Sequence, residues 1–182
     1  MNVTVRPARS SDAAAIALIH RVTWRLAYRG VLPDEYLAKM RHDVLMERWR
    51  ELIAGRGARD SVWVADRGGE VVGFAQSGPS TATDLEPGFA GEVYMLYVHP
   101  AHQRQGAGRR LLAEALEHLQ IRGFLWVVIG VLEANAPARA FYRRVGFLPD
   151  GFRWFDRSGG GRHVVVRYAK ALNSLLPARD PA

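Results

Sequence analysis

The sequence predicts a mixed α/β domain organised on one central sheet. Three observations lead there: two helical stretches with apolar residues at three- and four-residue steps, a meander of short strands after them, and a strand–helix–strand–helix–strand succession in the C-terminal half. The 182 residues fit one compact domain, and 48% hydrophobic with 24% charged residues is the balance of a globular chain, not a disordered or repetitive one.

Residues 3–7 alternate as a short strand, with Val3 and Val5 on one face. Ser10, Ser11 and Asp12 offer N-caps to a helix carrying Ile16, Ile19, Val22 and Leu26. Gly30 and Pro33 end it, and a second helical stretch is expected over 34–52, with Tyr36, Leu37, Met40, Leu45, Trp49 and Leu52. Strands follow at 61–66 and 70–77 about the turn Arg67-Gly68-Gly69. Residues 78–91, rich in Gly, Pro, Ser and Thr, read as a loop. Residues 92–98 form a strand that His99-Pro100 closes, because proline cannot continue a ladder. A helix is expected over 104–119, with Leu111, Leu112, Ala115, Leu116 and Leu119 on one face. Residues 124–132 are apolar without alternation, as in a strand buried on both faces. A short helix over 136–145 precedes a strand starting at Gly146-Phe147, and 152–156 with 164–169 read as a hairpin about Ser158-Gly159-Gly160-Gly161. From Asn173 the chain is polar and proline-containing, and is expected to fray.

There is no cysteine, so disulfides, thiolate metal sites, iron–sulfur clusters and a cysteine nucleophile are excluded. The formal net charge is +7, and of the 25 basic residues only Lys39 and Lys170 are not arginine. This balance fits an anionic partner (nucleic acid, an acidic membrane or a phosphorylated small molecule) or a merely solvated surface, and composition does not choose. The longest apolar runs, 13–19 and 124–132, fall short of the roughly 18 residues a membrane span needs. No signal-peptide core stands at the N-terminus, so a cytoplasmic protein is expected.

The most informative segment is Leu96-Tyr97-Val98-His99-Pro100 followed by Gln103-Arg104-Gln105-Gly106-Ala107-Gly108-Arg109-Arg110. A strand runs into a loop with two glycines where a helix begins. Such a turn can cradle phosphate, since unpaired N–H groups and the helix dipole favour an anion and glycine allows close approach. It can equally serve helix–sheet packing. It is neither a Walker loop nor G-x-G-x-x-G, because no Gly-Lys-Ser/Thr follows and position 111 is leucine.

The combination of Leu96-x-Val98-x-Pro100 with Gln103-x-x-Gly106-x-Gly108 closely resembles the acetyl-CoA motif of the GNAT superfamily of N-acetyltransferases. A second, separate segment, Asn135-x-x-Ala138-x-x-x-Tyr142-x-x-x-Gly146-Phe147, is similar to the one that follows strand five in that family, and the order of elements agrees over about residues 3–170. The resemblance implies a mostly antiparallel sheet of about seven strands with four helices, strands four and five splayed apart. One domain over 1–172 is expected, with the tail at 173–182 flexible by its composition. The resemblance also implies acetyl transfer from acetyl-CoA to a primary amine, without metal, and homodimers are common among such proteins. Backbone groups of Leu96, Tyr97 and Val98 would then meet the pantetheine arm. Gln103 and the N–H groups of Gln105, Gly106, Ala107, Gly108 and Arg109 would cradle the pyrophosphate, with Arg104 and Arg109 adding charge-assisted bonds and Asn135 and Tyr142 completing the CoA site.

The reaction needs a neutral amine, a stabilised oxyanion and a proton for the leaving thiolate. A backbone N–H near Tyr97 or Val98 is the family's usual oxyanion donor. By its position Tyr142 is the expected general acid, the other reading being that it shares a buried helix face with Ala138. Glu92 is the candidate base: it lies close to the register of a glutamate in the histone-acetyltransferase branch, and strand alternation would give it the face of Tyr94 and Leu96. A solvated carboxylate and a water chain are the alternatives. Another branch has a glutamate where this chain has Gly130.

A lysine-type amine is neutral in only about one molecule in 2,500 at pH 7, an α-amine in about one in six. If Glu92 is dispensable, a low-pKa acceptor gains weight. Trp24, Tyr28 and Tyr36 bracket the Gly30–Pro33 loop, where the family builds its acceptor pocket, and Asp34 and Glu35 there could attract an amine or merely start a helix. Trp154 and Phe155 are open between acceptor lid, dimer contact and core. His99 and His102 lack a third metal ligand, and Glu114, Glu117 and His118 read as a solvated helix face. A CoA-binding domain without turnover is the alternative function. Nucleic-acid binding has no recognition helix, RNA-recognition or zinc pattern behind it.

Overall fold

A computed structural model describes residues 2–55, 60–86 and 88–172 of the chain, so the tail expected over 173–182 lies outside the described residues. Seven strands form one sheet: β1 (Thr4–Pro7), β2 (Ser61–Arg67), β3 (Glu70–Pro79), β4 (Ala90–Val98), β5 (Trp126–Leu132), β6 (Leu148–Asp156) and β7 (His163–Ala171). Their spatial order is β1-β2-β3-β4-β5-β7-β6. Every neighbouring pair is antiparallel except β4 and β5.

Among the described residues there are five α-helices where four were expected: α1 (Ala13–Ala27), α2 (Asp34–Ala38), α3 (His42–Ala54), α4 (Ala107–Ile121) and α5 (Ala136–Arg144). The extra helix arises because the stretch expected over 34–52 breaks before Arg41, which is extended at φ −77° and ψ 134°. Arg25 of α1 stabilises the break by donating from Nε to the Leu37 carbonyl at 3.1 Å and from a terminal nitrogen to that of Ala38 at 3.3 Å. These are carbonyls that a helix end leaves without an internal partner.

The helices cover both faces of the sheet. On one, Ile16 and Ile19 of α1 with Trp49 and Ile53 of α3 pack on Val62, Val64 and Phe74. On the other, Leu112 and Leu119 of α4 and Tyr142 of α5 pack on Val93, Val127, Ile129 and Tyr168. Burying each such aliphatic side chain contributes about 1.5–3 kcal/mol. No helix among the described residues is long and apolar enough to cross a membrane.

Three departures from simple alternation shape the centre of the fold. β4 and β5 pair only at Ala90–Trp126, Gly91–Val127 and Glu92–Val128, after which they part. Just beyond, Gln76 pairs with Met95 and Ser77 with Val93, so Tyr94 is an extra residue in β4. A bulge of this kind bends its strand and re-aims the side chains after it. Consequently Val93 and Leu96 both pack towards α4, while Met95 and Tyr97 pack with Phe74 on the α1 side. The face expected to be common to Glu92, Tyr94 and Leu96 is therefore interrupted. Finally, β6 is one bulged strand from residue 148, its register shifting between Pro149 and Arg153, so the strand expected at 146–147 and the first hairpin strand are continuous.

Buried charge is paired. Arg167 on β7, 7% exposed, donates to both Asp84 oxygens at 2.8 and 2.7 Å and to Asp150 at 2.5 Å, tying the β3–β4 loop to the terminal strands. Arg6 likewise bridges Asp12 and Asp66 at 2.7 and 3.1 Å. These arginines are held by structural partners.

Candidate active site

A cleft of about 840 Å³ opens where β4 and β5 separate. Tyr94, Met95, Leu96, Tyr97 and Val98 form one wall and residues 129–132 of β5 the other, with α1 and α5 closing the sides. Because the β4–β5 ladder stops at Glu92, the β5-facing N–H and C=O groups of β4 beyond it have no strand partner. They are free to pair with an extended ligand, as an exposed strand edge does.

At one end of the cleft the Gly-rich turn enters α4. Gln103 donates its side-chain N–H to the Val98 carbonyl at 3.1 Å, fixing the turn to the strand end. Arg104 then takes φ 61°, the one positive φ outside glycine among the described residues, and Gly106 takes φ 89°. Two left-handed residues so close together curl successive N–H groups to one side, an anion-binding nest. They also delay the helix to Ala107 from the expected residue 104. The N–H groups of Ala107, Gly108 and Arg109 precede the first helical bond, Arg110 N–H to Gly106 C=O at 3.1 Å. Gln103, Arg104, Gly106, Gly108 and Arg109 line the cleft. The Gln105 side chain turns back to the Ala101 carbonyl, and Ala107 is buried in the core beside Leu111. Any part those two take in anion binding is confined to the backbone.

Asn135 and Tyr142 also line the cleft. The Asn135 side-chain oxygen caps α5 by accepting from Ala138 N–H at 3.1 Å, which leaves its amide N–H groups for a ligand. Tyr142 is 6% exposed, among Phe141, Phe147 and Tyr168. Burial, reinforced by nearby Tyr28, pushes its hydroxyl well above the usual tyrosine range, so it keeps its proton through neutral pH.

Across from it stands a phenol network from α1 and β4. Trp24 donates its indole N–H to the Tyr97 hydroxyl at 3.0 Å, and the Tyr28 hydroxyl acts electrostatically on that of Tyr97. His20 stacks on the Tyr97 ring at 5.5 Å and accepts from Trp49 at 3.3 Å. Burial pushes both Tyr97 and Tyr28 upward. Of the three aromatic residues expected around the acceptor, Tyr28 lines the cleft, Trp24 acts through Tyr97, and Tyr36 packs against the Gly159 hairpin tip.

Glu92 is not on the cleft wall. One of its oxygens accepts from Thr81 N–H at 2.9 Å, Thr81 hydroxyl at 3.1 Å and Ser80 hydroxyl at 3.4 Å, so it ties down the β3–β4 loop. At Gly130 the indole of Trp154 occupies the space of a side chain: a Cβ there would stand 2.6 Å from the ring. Asp34 borders a separate shallow hollow with Arg29. His99 accepts from Ala101 N–H, and His102 meets Arg67 and Glu70. Residues not singled out from the sequence also line the cleft, notably Thr23 and Arg144. Arg144 stands two residues after Tyr142, so the second motif could have pointed to it, whereas nothing local marks Thr23.

The family model for GNAT acetyltransferases matches residues 20–147, which includes both motifs and every wall of the cleft. The chain belongs to the GNAT acetyltransferase family. As a GNAT protein it is an acetyl-CoA-dependent N-acetyltransferase. It is 36% identical over 141 residues to the uncharacterized N-acetyltransferase YuaI of Bacillus subtilis, covering 78% of each chain. It is 33% identical over 163 residues to a probable N-acetyltransferase of Mycobacterium tuberculosis, covering 87% of this chain and 88% of the relative. Its fold matches that of PaiA N-acetyltransferase from Thermoplasma acidophilum in complex with coenzyme A, with TM-score 0.71 and 20% identity over 94% of this chain and 99% of the other. A ribosomal-protein-alanine N-acetyltransferase from Brucella melitensis matches with TM-score 0.65 and 28% identity over 92% and 99%.

Proposed function

We propose that this GNAT protein transfers acetyl directly from acetyl-CoA to a primary amine within a ternary complex, with Tyr142 as the general acid. The observation that carries the reading is that one cleft brings together an unpaired β4 edge, an N–H nest with Arg104 and Arg109, and a protonated tyrosine. The unpaired β4 groups suit the amides of a pantetheine arm. The nest and its two arginines suit a pyrophosphate, and the free amide of Asn135 offers a further donor. The thioester supplies the activated acetyl group. The neutral amine attacks the thioester carbonyl while a backbone N–H near Tyr97 or Val98 stabilises charge on the acetyl oxygen. As the C–S bond breaks, Tyr142 gives its proton to the departing sulfur, and the surplus proton on nitrogen passes to solvent water, from which Tyr142 is reprotonated. The burial that raises the Tyr142 hydroxyl also raises a thiolate leaving into the same dry space, which keeps the two groups matched. With no cysteine in the chain, a cysteine-bound acetyl is not available. The name of the Brucella relative points to an alanine amine, one acceptor within the primary-amine class.

Initial rates of CoA-thiol release, with acetyl-CoA and amine both varied, test this reading. Direct transfer in a ternary complex gives intersecting double-reciprocal lines. Parallel lines contradict it, and acetyl-CoA binding with no amine-dependent turnover favours a binding domain instead.

A further inference from the structure

Resting on that reading, we infer that the acceptor is a weakly basic primary amine of the α-amino type, received at the α1 wall of the cleft by the Thr23 hydroxyl. A strongly basic amine arrives as an ammonium ion and needs a carboxylate to hold it and take its proton. Among the described residues lining the cleft there is no Asp or Glu. The charged groups that face it are Arg104 from the turn, Arg109 from α4 and Arg144 from α5, all cationic. The other titratable groups are Tyr28 from α1, Tyr94 and Tyr97 from β4, and Tyr142 from α5, all driven upward by burial and therefore neutral.

Four nearby carboxylates are held by other groups, and Asp60, whose charge reaches the Tyr94 hydroxyl, stands beside Gly78 off the cleft wall. Glu92 holds Ser80 and Thr81, and Asp84 and Asp150 hold Arg167. Asp156 of β6, whose charge reaches Tyr28, lies off the cleft wall and accepts from Ser158 N–H at 3.0 Å and its hydroxyl at 2.8 Å. On β5, Trp154 covers Gly130.

Among the described residues of the α1 wall, one buried side-chain polar atom stands unused. Thr23 is 7% exposed, lines the cleft beside Leu26 and Ala27, and its Oγ1 is buried without a hydrogen-bond partner. Buried hydroxyls are normally satisfied, so an orphan in a ligand cleft points to a group on the ligand. The Thr23 oxygen can accept from a neutral amine N–H or donate to an adjoining carbonyl, holding the nucleophile without a charge. An amine already neutral in about one molecule in six at pH 7 needs no dedicated base, whereas a lysine-type amine, neutral in about one in 2,500, does.

The test uses the full chain with acetyl-CoA, following thiol release corrected for the uncatalysed rate. The acceptors are a panel of short peptides with free N-termini, Nα-acetyl-lysine and putrescine. The neutral fractions alone give peptides a kcat/KM advantage over Nα-acetyl-lysine of about 400-fold at pH 7, falling to about 25-fold at pH 9. Thr23→Val is expected to raise the peptide KM at least fivefold while leaving the acetyl-CoA KM in place, with Thr23→Ser restoring it. A purely structural Thr23 would lower thermal stability without moving the acceptor KM. Equal or better use of Nα-acetyl-lysine or putrescine at pH 7 overturns the acceptor class but leaves acetyl transfer intact. An unchanged acceptor KM in Thr23→Val overturns the Thr23 assignment. If no amine in the panel is acetylated although acetyl-CoA still raises the melting temperature, the transfer reading fails and this inference fails with it.

Discussion

Replacing each glycine of the turn by alanine separates its conformational role from its ligand role. Gly106 sits at φ 89°, and a Cβ there would meet nothing within 4 Å. The whole cost of Gly106→Ala is thus left-handed strain, about 1–2 kcal/mol. For a chain of this length that lowers the melting temperature by about 2–8 °C. If the residue relaxes out of the left-handed region instead, the N–H nest opens and CoA binding weakens. Gly108 differs. It lies in the first turn of α4 with an ordinary φ, and its Cβ would stand 3.6 Å from Val98 and 3.9 Å from Phe141, normal contact distances. Gly108→Ala should therefore hold or raise the melting temperature, since alanine is the better helix former by up to about 1 kcal/mol. Its methyl nevertheless projects into the cleft, so the CoA dissociation constant should rise about tenfold or more. Differential scanning fluorimetry and calorimetric titration with CoA read both quantities. A Gly108→Ala protein that loses stability yet binds CoA normally would refute the reasoning, because the glycine would then serve packing alone.

Tyr142→Phe should keep CoA affinity within about twofold while kcat falls about 100-fold or more, the usual scale for a general acid; full turnover with a validated acceptor would remove Tyr142 from that role. Glu92→Gln keeps an oxygen to accept from Thr81, so kcat/KM should stay within about threefold and the pH–rate profile should keep its acid-side limb; loss of that limb would assign Glu92 as the base. His20 is held neutral, its pKa lowered from 6.5 to about 4 by burial and, secondarily, by Arg48. The unfolded chain thus binds a proton that the folded one refuses, and stability falls as pH drops from 6.5 towards 4. Urea unfolding at pH 7 and pH 5 should show a loss of about 2 kcal/mol that His20→Asn largely abolishes.

The two motifs were legible in the sequence because their function is carried by backbone and by residues whose order in the chain is close. Gly106 and Gly108 mark where N–H groups are exposed, and Asn135 and Tyr142 lie on one short helix and its cap. What could not be read depends on partners distant in sequence. The bulge at Tyr94 exists only in the pairing of β4 with Gln76 and Ser77, and it is the bulge that undoes the alternation linking Glu92, Tyr94 and Leu96. Glu92 resembles a base from its register, and that one of its oxygens accepts from Thr81 depends on a loop eleven residues back in the chain. That Gly130 lacks room for a side chain follows from Trp154 on β6, the outermost strand of the far side of the sheet. The break between α2 and α3 is stabilised by Arg25 reaching across from α1. The arginine excess, ambiguous as composition, resolves partly: Arg104 and Arg109 border the Gly-rich turn at the cleft, while Arg6 and Arg167 are paired with aspartates that tie the fold together.

The most direct test of acetyl transfer to an amine is a mass balance. Purified protein is incubated with acetyl-CoA and a free-N-terminal peptide, and CoA thiol, acetylated peptide and intact protein mass are followed together. The expected result is one acetyl group gained by the peptide for each thiol released, with the protein mass unchanged throughout. Thiol release without acetylated peptide, or an acetyl group accumulating on the protein, would contradict direct transfer.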